Sequence, residues 1–290
     1  RDFSINSIAF LFDNKCLFDP LNGLQDLQFS IVRTHSEKNI LNDPLRILRC
    51  FRFVSELNFK IDLNLINFIK QNKGKLYLVA KERVNSEIKK IANGANALYA
   101  AKLIKKINIF GSDILYEDSF FLDLEKINYA ELNQEEKQKF LPLFFISQIL
   151  DVVSLEKLKF SKDEIAKTKL LRKWHFFLKN KNISQLNELD RFKLHQELEM
   201  FLPSFIFYLP PNLRFDWLKR WRDKDDKLFH PSNLINGNEL KKNLKIEDGP
   251  ILGDLLQYLS KELAYKRLNN FDEAIYKAKQ WIKQNAPKCD

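Results

Sequence analysis

Through the middle of the chain apolar side chains return every three to four residues, as at Leu141, Phe144, Phe145, Ile149, Val152 and Val153. That interval is the period of an amphipathic α-helix. No glycine interrupts the pattern between Gly111 and Gly237, so the stretch reads as helix after helix. The first 33 residues follow another rule. Phe10-Leu11-Phe12, the turn Asp13-Asn14-Lys15 and Cys16-Leu17-Phe18 predict a short hairpin, followed by the breaker Asp19-Pro20-Leu21-Asn22-Gly23 and a third strand at Phe29–Arg33. So few short strands do not cover their own faces and edges. The chain also opens at Arg1, and the reading is of a fragment whose sheet continues in residues outside it. The predicted fold class is mainly α, after a remnant of a mixed α/β domain.

The segment Asn42–Leu57, NDPLRILRCFRFVSEL, is the most informative. Asp43 before Pro44 predicts a helix start, since the carboxylate can accept free N–H groups of the first turn and proline there forfeits no bond. At 100° per residue Ile47, Leu48, Cys50, Phe51, Val54 and Leu57 fall on one side, and Arg46, Arg49 and Arg52 run as a stripe along the other. Three guanidinium forks on one ridge suit phosphates, which accept paired N–H donors from arginine. The same stripe also serves as a solvated face, with Arg52 paired to Glu56 at i,i+4.

Composition narrows the possibilities. The 290 residues suffice for two or three domains of about 100–200 residues each. With 45% hydrophobic and 30% charged residues, there is ample surface for a core. No apolar run approaches the roughly 18 residues of a spanning helix and the N-terminus lacks a secretory pattern, so the expected location is cytoplasmic. Cys16, Cys50 and Cys289 and the four histidines are scattered, which argues against a disulfide framework and a Cys/His zinc site. Only seven glycines are present, and neither Walker-type nor dinucleotide-type loops occur. The net charge of +10 suits a polyanionic partner. Drift toward AT-rich codons also raises Lys, Asn, Ile and Phe content, so charge alone does not decide.

Four segments carry a resemblance. RDFSINSIAF at Arg1–Phe10, DPLNGLQDL at Asp19–Leu27, NDPLRILRCFRF at Asn42–Phe53 and ERVNSEI at Glu82–Ile88 follow the order and approximate spacing of motifs in the class II tRNA nucleotidyltransferase and bacterial poly(A) polymerase family. NLINGNELKKNLKIEDGPILGDLL at Asn233–Leu256 resembles that family's tail. Each motif is moderately specific; four in register are strong. The resemblance implies a seahorse-shaped molecule of head, neck, body and tail, here the end of the head at 1–35, the neck at 36–100, the body at 101–200 and the tail at 201–290. It implies a transferase that adds C and/or A nucleotides to tRNA 3′ ends without a nucleic-acid template, with CTP and ATP as substrates and Mg²⁺ as cofactor.

Residue by residue, the resemblance assigns Asp43 and Arg46 to the Watson–Crick edge of the incoming base, Arg49 and Arg52 to the triphosphate, and Arg1, Asp2 and Asn6 to the ribose. A carboxylate accepts from the exocyclic amine that cytosine and adenine share, and a guanidinium donates to the adjacent ring nitrogen. Gly23 matches the family's head-to-neck hinge, where φ > 0 is useful, and equally reads as an ordinary turn glycine. Two departures stand out. Where the family has glutamate before the aspartate, this chain has Asn42, an amide that can bond Arg46 without supplying a charge. The carboxylates that hold Mg²⁺ lie upstream of the RDF motif in the family, so this chain is expected to bind but not to catalyse.

Farther along, Glu135-Glu136 and Asp163-Glu164 read as helix-start carboxylates. Lys167, Lys169, Arg172, Lys173, Lys179 and Lys181 surround Trp174 and Phe176-Phe177, either a solvated helix or a surface tracking RNA phosphates, with Lys173 and Lys179 as candidate contacts. Trp217 and Trp221 at i,i+4 read as a packed seam rather than a base-stacking platform. Gly249 and Gly253 flank a helix start where free N–H groups could meet a tRNA phosphate, while Asp248 and Asp254 oppose it. The competing functions are C and/or A addition, poly(A) synthesis, and non-catalytic RNA binding by a helical protein.

Overall fold

The computed structural model describes residues 2–110, 130–181 and 183–285. It is mainly α and divides into two compact units, Arg1–Lys173 and Trp174–Asp290.

In the first unit a hairpin of β1 (Ala9–Leu11) and β2 (Cys16–Phe18) pairs Ala9 with Phe18 and Leu11 with Cys16. All six of its residues are exposed. Then come α1 (Gly23–Gln28), β3 (Ile31–Val32), α2 (Glu37–Asn42), α3 (Arg46–Leu57), β4 (Lys60–Ile61), α4 (Leu63–Asn72), α5 (Lys81–Asn93), α6 (Ala97–Ile107), α7 (Gln134–Ile149), α8 (Val152–Lys157) and α9 (Lys162–Asn180), whose last turns enter the second unit. The predicted third strand is present but does not extend the hairpin. β3 pairs in parallel with β4, a strand the sequence pattern did not reveal, with Val32 opposite Ile61. A parallel pair needs a long crossover, which α2 and α3 supply, and Val32 and Ile61 are buried beneath it.

Helix α3 is the axis of this unit. Ile47, Leu48, Cys50, Phe51 and Val54 are fully buried, as their spacing predicts; Leu57, at the last helical position, is exposed. Helices α5 and α6 pack on that face, at a corner without room for a side chain. A Cβ on Gly94 would lie 2.0 Å from Ser55 Oγ, and Ser55 Oγ donates to the Ile91 carbonyl at 2.6 Å. In α7 the predicted residues Leu141, Phe144, Phe145 and Ile149 are buried, and Asn133 with Glu136 forms a reciprocal cap. The pattern then breaks: Asp151 caps a new helix through the Ser154 N–H, which leaves Val153 exposed.

The second unit continues with α10 (Glu188–Leu198), α11 (Leu202–Phe205), α12 (Pro211–Arg222), α13 (Gly237–Leu244), α14 (Pro250–Ala264) and α15 (Phe271–Asn285). Trp217 is buried against His195 and Phe229, and Trp221 Nε1 donates to the Glu199 carbonyl at 2.7 Å. The two tryptophans form the packed seam their spacing suggests. Leu240, Leu255, Leu259, Ala274 and Ala278 close the core of α13, α14 and α15. Among the described residues no helix is long and apolar enough to cross a membrane.

Candidate functional site

The turn between α2 and α3 sets the geometry. The Arg46 N–H donates to the Asp43 carbonyl and the Ile47 N–H to the Pro44 carbonyl, both at 3.0 Å. These backbone bonds satisfy the first donors, and α3 begins at Arg46 rather than at Pro44. The Asp43 side chain caps nothing. Its Oδ2 instead accepts from Arg83 Nη2 of α5 at 3.0 Å, a correction to the capping expectation.

The three arginines of the ridge differ in their surroundings. Arg46 is half-buried; its Nε has no hydrogen-bond partner, and no ion pair engages it among the described residues. Asn42 is exposed and does not reach it. Arg49 is tethered, its Nη2 standing 2.7 Å from Asp2 Oδ2. Asp2 is buried and accepts from Asn6 Nδ2 at 2.8 Å through its other oxygen. Burial works to raise the Asp2 pKa, yet the Asn6 bond and the Arg49 charge together hold it below the usual carboxylate range. Arg52 is more enclosed than Arg49. Its Nη1 meets both Glu87 oxygens at 3.2 Å, its Nε lies 3.6 Å from Glu56, and Glu87 also accepts from Lys90 at 2.8 Å.

Three of the quoted motifs therefore meet in space: Asp2 and Asn6 reach Arg49, Arg83 reaches Asp43, and Glu87 reaches Arg52. Arg1 lies outside the described residues. Sequence reasoning missed Arg83 and Glu87 as members of this cluster. Their i,i+4 spacing within ERVNSEI, which puts both on one face of α5, was the available signal.

Gly23 opens α1 and is buried. A Cβ there would lie 2.4 Å from the Ser4 carbonyl oxygen, so close packing rather than positive φ excludes a side chain. The left-handed residue is its neighbour Asn22, at φ 56°.

Elsewhere the predicted basic stretch is partly engaged. Lys167 pairs with Asp163 at 2.6 Å, Lys169 with Glu156 at 3.3 Å, and Arg172 donates to the Ser147 and Leu150 carbonyls. Lys173 and Lys179 are exposed on α9. Gly249, in extended backbone, precedes α14 with no side-chain cap. A Cβ on Gly249 or Gly253 would meet nothing within 4 Å. Asp248 is drawn to Lys241 at 2.9 Å. Among the described residues no three His, Cys, Asp or Glu side chains converge on a metal position; the resemblance assigns the Mg²⁺ carboxylates to the segment upstream of the RDF motif, not to these residues.

Residues 131–278 match the family model described as "tRNA nucleotidyltransferase domain 2 putative". A CC-adding tRNA nucleotidyltransferase of Synechocystis is 26% identical over 97% of this chain and 74% of its own length. Among solved structures, the Bacillus stearothermophilus CCA-adding enzyme in complex with CTP superposes with a TM-score of 0.69 at 18% identity, covering 99% of this chain and 74% of that one. The Thermotoga maritima CCA-adding enzyme complexed with tRNA matches with a TM-score of 0.69 at 20% identity, over 97% and 72% of the two chains. At such identities the structural likeness is one of fold.

Proposed function

The chain belongs to the tRNA nucleotidyltransferase domain 2 family, and from that premise we propose that it serves template-independent addition of C and/or A nucleotides to tRNA 3′ ends, supplying nucleotide recognition and tRNA binding. The observation that carries this reading is Arg46: all three ridge arginines leave Nε unbonded, but among the described residues Arg46 alone of the three has no ion pair, and it stands one turn from the Asp43 carboxylate. A buried donor left unbonded is costly unless a ligand completes it. In the proposed site Arg46 donates to N3 of cytosine or N1 of adenine, and Asp43 accepts from the exocyclic amine. Uracil and guanine present an N–H and a carbonyl at those positions, the wrong pattern for both groups. Arg49 and Arg52 turn toward the triphosphate only by exchanging Asp2 and Glu87 for phosphate oxygens. Asp2 and Asn6, already bonded to each other, are the ribose side of the site.

The pair accepts C and A alike, so it does not choose among CC, CCA and A addition. Catalysis in this reading draws on carboxylate-held Mg²⁺, and the described residues gather no such carboxylates. By the resemblance those carboxylates lie upstream of the RDF motif, and in this reading the chain binds nucleotide and tRNA without extending tRNA by itself. Titration with the four nucleoside triphosphates tests the assignment. Arg46→Ala should weaken CTP and ATP binding together, by about 1.5–3 kcal/mol for a lost charge-assisted bond. Unchanged affinity for both would return Arg46 to a solvated face. Any incorporation into tRNA lacking its 3′ end, by the purified chain with CTP, ATP and Mg²⁺, would refute the division of labour.

A further inference from the structure

Asp43 and Arg46 are three residues apart across a tight turn, a spacing at which a carboxylate and a guanidinium readily pair. They do not pair here. Asp43 Oδ2 is instead bonded at 3.0 Å to Arg83, forty residues away on α5. Among the described residues nothing bonds Asp43 Oδ1, and Arg83 has no other side-chain partner. Asn42 offers no charge that could keep Arg46 away from Asp43.

From this geometry we propose that Arg83 is a positioning residue for base recognition, which holds Asp43 by one oxygen, keeps it off Arg46 and leaves Oδ1 free for the exocyclic amine of cytosine or adenine. The proposal rests on the reading of Asp43 and Arg46 as the base-reading pair. Without Arg83 the carboxylate swings onto Arg46, the two groups satisfy one another, and both recognition edges close. The Arg83 side chain is 54% exposed, and exposed ion pairs contribute little to stability. A structural role therefore predicts almost no effect of losing it, whereas a positioning role predicts a clear loss in nucleotide affinity.

The test is a set of CTP, ATP and UTP titrations on the intact chain and its Arg83→Ala, Arg83→Lys, Asp43→Asn and Arg83→Ala/Asp43→Asn variants, each with a urea unfolding midpoint. Arg83→Ala should weaken CTP and ATP binding roughly tenfold, as small misplacements of recognition groups do, with an unchanged midpoint. Arg83→Lys should restore part of the affinity, and Arg83→Ala should add nothing in the Asp43→Asn background, because it acts through that carboxylate. If Asp43→Asn weakens binding and Arg83→Ala does not, or if the two losses add in full, the role of Arg83 is overturned and the base-reading pair stands. If affinity merely follows the midpoint across the Arg83 variants, the residue is structural. If Asp43→Asn leaves CTP affinity intact, the base-reading assignment falls and Arg83 falls with it.

Discussion

Gly94 meets Ser55 at a point where no methyl group fits: besides the Oγ contact, a Cβ would lie 2.7 Å from the Ser55 carbonyl carbon, which is backbone and cannot rotate away. Gly94→Ala should therefore destabilise the first unit by about 1–3 kcal/mol, the usual cost of overpacking. Gly249→Ala, in open space with φ 169°, should change little. Urea unfolding followed by circular dichroism separates the two, and equal midpoints would refute the close-packing argument. Nothing in the sequence announced Gly94, because the clash involves a residue 39 positions away and exists only once α3 and α5 touch. The arginine ridge was legible for the opposite reason: three residues at a three-residue spacing on one helix are a local fact. Their partners were not legible, since Asp2 and Glu87 come from other elements.

Among elements, helices were read more faithfully than strands or starts. The apolar faces of α3 and α7 follow from period alone, whereas β4 is two residues long and takes its register from a crossover that no local pattern encodes. The seam of the second unit gives the element scale a measurable consequence. His195 of α10 is buried with ring centroids 4.7 Å from Trp217 of α12 and 4.0 Å from Phe229, and its Nδ1 is unbonded. Burial lowers its pKa to about 3, helped by Arg220, Arg191 and His230 and opposed by Asp226. His175 is lowered to about 4 by burial and Lys179. Both imidazoles take up protons more readily unfolded than folded, so their contribution to stability is complete above about pH 6.5. It drains as pH falls toward the folded values, by at most roughly 1.4 kcal/mol per pH unit for each group. All four tryptophans, Trp174, Trp217, Trp221 and Trp281, lie in the second unit, so their fluorescence reports its unfolding alone. The urea midpoint should fall between pH 6.5 and pH 5, and His195→Phe should flatten about half of that slope. An undiminished slope in the variant would place the titration elsewhere.

For the molecule as a whole the informative quantity is where the positive charge resides. Of the net +10, residues 1–173 carry +6 and residues 174–290 carry +4, so neither unit holds the excess alone. Lys89, Lys90, Lys159, Lys167 and Lys169 in the first unit and Lys241, Arg267 and Lys277 in the second are ion-paired, each with an acid, so the excess of +10 falls to other bases. An excess spread over both units, rather than gathered in one patch, meets RNA through scattered phosphates and leaves discrimination to shape, which suits a folded tRNA better than a flexible strand. Binding should then weaken with salt by about 0.7 to 0.9 log units per tenfold increase for each phosphate neutralised, with tRNA retained over an unstructured RNA of equal length at every salt concentration. Filter binding of the intact chain to both RNAs across a salt series measures the slope and the preference together. A steep slope with equal affinity for the two RNAs would make the chain a general polyanion binder, because charge without shape cannot tell them apart. A shallow slope with a strong preference for tRNA would instead confirm that the paired lysines stay paired and that the fold, more than its net charge, selects the partner.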